Sequence, residues 1–205
     1  MEKLIERVST RGRLLHAFAT LAFLHCFLSG VGIAFPKLSW LLVLLGGGEF
    51  ARWLHPWSGV LFAFFAILMF GYWKSEMYFT AEDRIWLGNI RQYATNRHDC
   101  LPEPGKYNAG QKFYFWSIVL GGGVVFTLTG VLMWFPGNFP INLVRLSVVI
   151  HELMFIAAGS GLIVHAYMGT IAMPGTLSAI ITGEVKEVWA KSHHPKWYRE
   201  MTGKK

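Results

Sequence analysis

Four histidines fall within apolar stretches of the chain: His16, His55, His151 and His165. An ionisable side chain inside an apolar span is costly to keep, so by default it marks function. Neutral imidazole is a good iron ligand. A haem held by two histidines needs both axial nitrogens at one depth, from helices that face each other. Two matched pairs are what a two-haem electron wire would require.

The elements that must position them are membrane spans. The 205 residues are 53% hydrophobic and only 15% charged, too few charges to cover a soluble domain. Runs of about 20 apolar residues are the signature of helices that cross a bilayer. Four are predicted, over 15–35, 53–73, 114–135 and 146–171, giving an all-α transmembrane four-helix bundle read as one domain, 1–205. The first run is too long for a secretory signal and is followed by further spans, so it is read as retained.

Sixteen of the nineteen lysines and arginines lie in the N-terminal arm, the 74–112 loop and the 172–205 tail; only Lys37, Arg52 and Arg145 lie elsewhere. The positive-inside rule therefore puts both termini and the long loop in the cytoplasm. The same rule accounts for the net charge of +7, leaving no need for a nucleic-acid partner. Trp40, Trp53, Trp57, Trp73, Trp116 and Trp134 gather near span ends, as an interfacial belt would. The two short connections, around Gly46-Gly47-Gly48 and over 136–142, read as tight external turns. Segment Thr176–Ser192 has helical apolar spacing and reads as a helix lying on the membrane surface. Cys26 sits in the first span and Cys100 in a polar loop, so no disulfide and no thiolate cluster is expected; iron–sulfur chemistry must sit on a partner.

Topology then fixes depth. His16 enters the first span from inside and His165 closes the fourth span inside. His55 and His151 open spans two and four from outside. His151 and His165 are fourteen residues apart, which returns them to within about 40° of one helix face, roughly 21 Å apart along the axis. One face can thus hold two stacked cofactors whose edges lie on the order of 10 Å apart. Gly59, Gly159 and Gly161 near these histidines would allow a flat macrocycle to approach, although glycine also serves helix packing. A lone histidine in a span is more often a hydrogen-bonded helix contact than a ligand; four at two matched depths reverse that balance. His25 has no partner at its depth and reads as structural or hydrogen-bonded. His98 lies in a loop, and His193 and His194 read as surface residues of the tail.

Several stretches carry a family likeness: Leu54-His55-Pro56, Gly105-Lys106-Tyr107-Asn108-Ala109-Gly110-Gln111-Lys112, Val164-His165-Ala166-Tyr167, Gly175-Thr176, and the tail from Trp189 through His193-His194-Pro195 to Glu200. With these, the chain resembles, almost end to end, the gamma subunit of membrane-bound formate dehydrogenase, a four-helix di-haem cytochrome b of the bacterial inner membrane. The resemblance implies an alpha subunit oxidising formate at a molybdenum or tungsten pterin, and an iron–sulfur beta subunit delivering electrons from the periplasm. The heterotrimer can assemble further. It implies an outer haem b on His55 and His151, an inner haem b on His16 and His165, and menaquinone or ubiquinone reduced near the cytoplasmic face. The quinone pocket it implies includes Asn108, Gly110, Gln111 and His165. Lys106 departs from the arginine expected in this segment, and Ser147–Ile150 departs before His151; neither touches the ligands, but both leave quinone preference open.

Read from residues alone, Asn108 is equally a helix cap, since asparagine is favoured there. The related hydrogenase or sulfur-compound reductase cytochromes share the haem scheme. A histidine-based proton or metal transporter and a haem-free anchor are the readings from other classes. Glu152, beside His151, is the one carboxylate clearly within a span. Arg11 or Arg13 inside, and Arg52 or Arg145 outside, lie at depths that could meet haem propionates, although topology and lipid contact account more simply for each one.

Overall fold

The computed structural model describes residues 3–94 and 101–203. His98 and Cys100, read above as loop residues, lie outside them. In chain order the main elements are β1 (Leu4–Glu6), α1 (Thr10–Ala34), α2 (Gly48–Trp73), α3 (Ala81–Gly88), α4 (Ala109–Trp134), α5 (Ile141–Ala172), β2 (Glu184–Lys186), α6 (Glu187–His193) and α7 (Pro195–Thr202). Helices α1, α2, α4 and α5 are long and apolar enough to cross a membrane. They are the four spans expected from the sequence, each begun some residues earlier. α4 carries a π-helical stretch at Phe115–Gly122, and α5 ends in another at Met168–Ala172.

The chain forms two compact units. The helical unit comprises Leu14–Gly71 and Ile118–Ala166. Its helices bury narrow seams of small and aromatic side chains. On α1 the buried set is Leu15, Ala19, Ala22 and Ser29, while Leu14, Phe18, Leu21 and Leu28 are exposed, as a lipid-facing stripe requires. On α2, Ser58, Phe62 and Ala66 are buried, and Trp53, Trp57, Val60, Phe64 and Ile67 are exposed. Aromatic contacts join the helices: Phe23–Phe62 at 5.4 Å, Phe27–Phe155 at 5.0 Å and Trp57–Trp134 at 5.0 Å between ring centroids. The turn into α2 needs left-handed backbone at Gly46 (φ 91°) and Gly47 (φ 101°), which glycine adopts without steric cost.

The second unit gathers the N-terminal arm up to Arg13, the connection Tyr72–Ser117 and the chain from Tyr167 onward. β1 and β2 pair antiparallel, Ile5 opposite Val185, with both side chains buried. This corrects the surface helix expected over 176–192. Gly183 takes φ 92°, and a Cβ there would lie 2.8 Å from the Val8 carbonyl oxygen, so a continuous helix gives way to a strand. The expected all-α class holds apart from this three-residue pairing.

The core of the second unit is Arg7. Its guanidinium lies 4.8 Å from the Trp189 ring centroid, 5.0 Å from that of Trp197 and 5.6 Å from that of Tyr107. Aromatic faces offset part of the cost of burying this charge. Its Nη2 donates to the Lys106 carbonyl (2.5 Å) and to His194 Nε2 (3.1 Å). His194 donates from Nδ1 to the Gly105 carbonyl (2.6 Å), so Nε2 keeps the lone pair that Arg7 needs. His194 is 2% exposed, which corrects its reading as a surface residue; it immediately precedes Pro195, which opens α7. Burial lowers the Arg7 guanidinium to about 10, still charged at neutral pH.

Burial, then the neighbouring Arg7 charge, lowers His194 from 6.5 to about 3. A histidine held neutral in the fold contributes stability that is complete above pH 6.5 and is lost as the pH falls toward 3. The second unit should therefore loosen progressively over that window. Trp fluorescence of the detergent-solubilised protein, through Trp189 and Trp197, should follow it, and His194→Gln should flatten the pH dependence.

Candidate haem and quinone sites

All four histidines predicted as ligands lie in the helical unit and form the predicted pairs. His16 on α1 faces His165 on α5, with ring centroids 6.2 Å apart and planes at 35°. His55 on α2 faces His151 on α5, at 6.5 Å and 55°. His151 and His165 share one unbroken α-helix, Ile141–Tyr167, so the pairs are spaced by the helical rise.

Residues that sequence reasoning missed hold the second pair. Ser29 Oγ, on α1, lies 2.8 Å from His55 Nδ1. Thr129 Oγ1, on α4, lies 2.8 Å from His151 Nδ1. Phe126, one turn before Thr129, packs edge-on against His151 at 5.1 Å. α4 contributes no histidine and enters the site through these two side chains. The available signal was a hydroxyl residue in an apolar span, but which one meets a histidine depends on helix rotation. His16 has a hydroxyl on its own helix, Thr20 Oγ1, at a longer 3.4 Å from Nδ1. Gly30 packs beside His55 and Phe155. A Cβ on Gly159 would come within 2.7 Å of the Phe27 ring, so that glycine lets α1 and α5 pack closely; Gly59 has nothing within 4 Å.

His25, expected as structural or hydrogen-bonded, has both ring nitrogens buried with no hydrogen-bond partner among the described residues. Cys26 is a free thiol whose Sγ lies 3.6 Å from the His55 carbonyl. Glu152 is exposed on α5. The Arg13 guanidinium donates to the carbonyls of Ile180 and Ile181, which commits it to the backbone of the second unit.

Asn108, Gly110 and Gln111, predicted around the quinone, stand together where α4 begins. Asn108 Oδ1 accepts from the Gln111 N–H (2.9 Å), and Gln111 Oε1 accepts from the Asn108 N–H (3.0 Å). The capping reading of Asn108 is thus realised as a capping box. The cap uses the oxygen of Asn108 and leaves its amide N–H groups as donors. Gly110 lies against Trp86. Asn108 also lines a small cavity of about 60 Å³ shared with Asp83 and Lys112. Those two form a buried ion pair of 2.5 Å, and Asp83 accepts further from the Thr80 N–H and hydroxyl. His165, the fourth predicted quinone residue, belongs to the helical unit.

A model of the prokaryotic cytochrome b561 family matches residues 7–183. The chain belongs to that family. It is similar to the cytochrome b556(fdo) subunit of formate dehydrogenase from Escherichia coli K12, 34% identical over 96% of this chain and 93% of the relative. The nitrate-inducible b556(Fdn) subunit of the same organism is 36% identical over 97% of this chain and 92% of its own length. The Haemophilus influenzae b556 subunit is 34% identical over 96% and 83%. The family resemblance read from the tail and the 105–112 segment is therefore correct. This is a membrane cytochrome b, a haem b protein of electron transport.

The histidine pairs fit that cofactor. A metal–imidazole nitrogen distance of about 2 Å puts two trans imidazole centroids roughly 6.3 Å apart, and both observed separations bracket this. Two imidazoles suffice because the macrocycle supplies the remaining nitrogens. Zinc would ask for three or four protein ligands, and no group of three or more His, Cys, Asp or Glu occurs among the described residues.

The Asp83–Lys112 pair beneath Asn108 carries a testable consequence. Asp83→Asn leaves a buried, uncompensated lysine and should cost about 3–5 kcal/mol. Glu82→Gln, which weakens an exposed pair with Lys196, should cost far less, since exposed pairs are screened by solvent. Unfolding of both variants in detergent measures the difference.

Proposed function

We propose that this cytochrome is the membrane electron-transfer subunit of a formate dehydrogenase complex in a bacterial inner membrane. It takes electrons from a periplasmic iron–sulfur beta subunit, carries them on two b-type haems and reduces a quinone, menaquinone or ubiquinone, near the cytoplasmic face. Formate oxidation belongs to the molybdenum- or tungsten-pterin alpha subunit. His55 and His151 hold the outer haem and His16 and His165 the inner one. Each haem would supply a one-electron carrier. The observation that carries this reading is the pair of imidazole pairs, 6.2 and 6.5 Å between centroids, sharing α5.

What this chain's own residues do follows from their chemistry. The four imidazoles would hold the metal; in the protein alone His16, His55 and His151 are half-buried and His165 is exposed. Leu15, Ala19 and Ala22 let α1 pack closely. The amide donors of Asn108 meet a quinone carbonyl while its oxygen caps α4, with Gly110 and Gln111 beside it in the same unit. The arm, the 72–117 connection and the tail fold together in one unit, which supports placing all three, and hence both termini, on the cytoplasmic side. Electrons would then enter from outside while quinone takes its protons from inside. Charge crosses the membrane without a proton channel, against about 2.3 kcal/mol per charge per 100 mV.

A dithionite-reduced minus oxidised spectrum of the purified chain should show low-spin b-type bands at two haems per polypeptide. His55→Ala and His16→Ala should each lose one of them. A folded chain without haem would sink the reading, and a co-purifying partner without a pterin would sink its formate half. Asn108→Asp keeps the cap, since aspartate caps as well as asparagine, but replaces donors with acceptors. Reoxidation of the haems by quinone in the whole complex should slow at least about tenfold, the cost of one lost hydrogen bond to a charged or developing-charge group, with thermal stability unchanged.

A further inference from the structure

The two hydroxyls beside the His55–His151 pair have only one possible sense of hydrogen bonding. Ser29 Oγ lies 2.6 Å from the His25 carbonyl and 3.2 Å from that of Cys26. Thr129 Oγ1 lies 2.6 Å from the Val125 carbonyl and 3.5 Å from that of Phe126. Carbonyls only accept, so the single proton of each hydroxyl is committed to its own helix. At 2.8 Å from a histidine nitrogen, each oxygen is then left as an acceptor. The nitrogen must carry the hydrogen. Ser29 is fully buried and Thr129 is 6% exposed, so bulk water does not compete.

We infer that Ser29 and Thr129 are positioning residues that hold His55 and His151 as Nδ1–H tautomers, leaving the Nε2 lone pair of each for the iron, and that they tune this one haem. The inference rests on the ligand reading above. Both bonds cross between helices, Ser29 of α1 to His55 of α2 and Thr129 of α4 to His151 of α5, so they fix ring rotation as well as tautomer. An acceptor on the far nitrogen makes an imidazole a stronger donor to its metal, and such partners govern metal affinity and potential. A stronger donor stabilises the oxidised iron, so the hydroxyls hold the potential of that haem down.

The test compares Ser29→Ala and Thr129→Val with Ser29→Thr and Thr129→Ser in the purified chain, by redox titration and low-spin electron paramagnetic resonance. Removing either hydroxyl should move the midpoint of one haem component upward and alter its low-spin signal, leaving the other component in place. It should also weaken retention of that haem by about 10-fold or more. The hydroxyl-retaining variants should keep wild-type values. Complete loss of one haem in the hydroxyl-free variants alone supports the inference equally. It is overturned if hydroxyl-free and hydroxyl-retaining variants behave alike, whether both match wild type or both lose haem. The underlying ligand reading fails by a different result: His55→Ala or His151→Ala retaining both haems.

Discussion

Two imidazoles from opposing helices, a little over 6 Å apart, are the constraint around which the helical unit is arranged. An uncharged ring is the form that an apolar interior tolerates, and it is also the form that can donate a lone pair. Holding two such rings at that spacing requires helices that come close without interlocking. The buried seam of α1 supplies this with alanine and serine where bulkier residues would force the helices apart. Gly159 does the same for α5 by admitting the ring of Phe27. The aromatic contacts Phe23–Phe62 and Trp57–Trp134 then tie the helices on either side. Putting His151 and His165 on one unbroken α-helix makes the spacing of the two pairs a property of the helical rise, insensitive to loops.

The second unit is organised by the opposite problem, a permanent charge taken out of water. Arg7 is surrounded by Trp189, Trp197 and Tyr107 and is bonded to one carbonyl and one neutral histidine. Its partners come from stretches far from it in the chain, the 105–107 turn and the tail from Trp189 to Trp197. The guanidinium therefore serves as a joint between segments, with the short β1–β2 pairing as its neighbour in the chain. Two capping boxes, at Thr80 and Asn108, begin helices α3 and α4. The Asp83–Lys112 pair links those two beginnings. In this way the same local chemistry that starts α4 also presents the Asn108 amide.

Much of the site was legible from spacing. The position of each histidine along its span follows from the order of the spans and a fixed rise per residue, so the pairing His16–His165 and His55–His151 required no knowledge of packing. The hydroxyls of Ser29 and Thr129 were not legible. Membrane helices contain many serines and threonines bonded to their own backbone, and only helix rotation decides which of them also meets a neighbour. The tail was misread for a similar reason. Apolar spacing over 176–192 suits a helix, but Gly183 and the partner strand at Ile5 override it. His194 reads as polar and terminal until Arg7, 187 residues away in sequence, is brought against it.

The sequence by itself determined the four spans, which histidines pair, and the family. These depend on composition, helical rise and local motifs, which are properties of short stretches taken one at a time. Only the tertiary structure decided which hydroxyl orients which imidazole, that Arg7 and His194 are buried together, and that Asn108 caps α4 with one end of its amide while keeping the other end available. Those are consequences of segments far apart in the chain meeting at particular rotations. A hydrogen bond needs two partners within about 3 Å, and no reading along a single segment can supply the second.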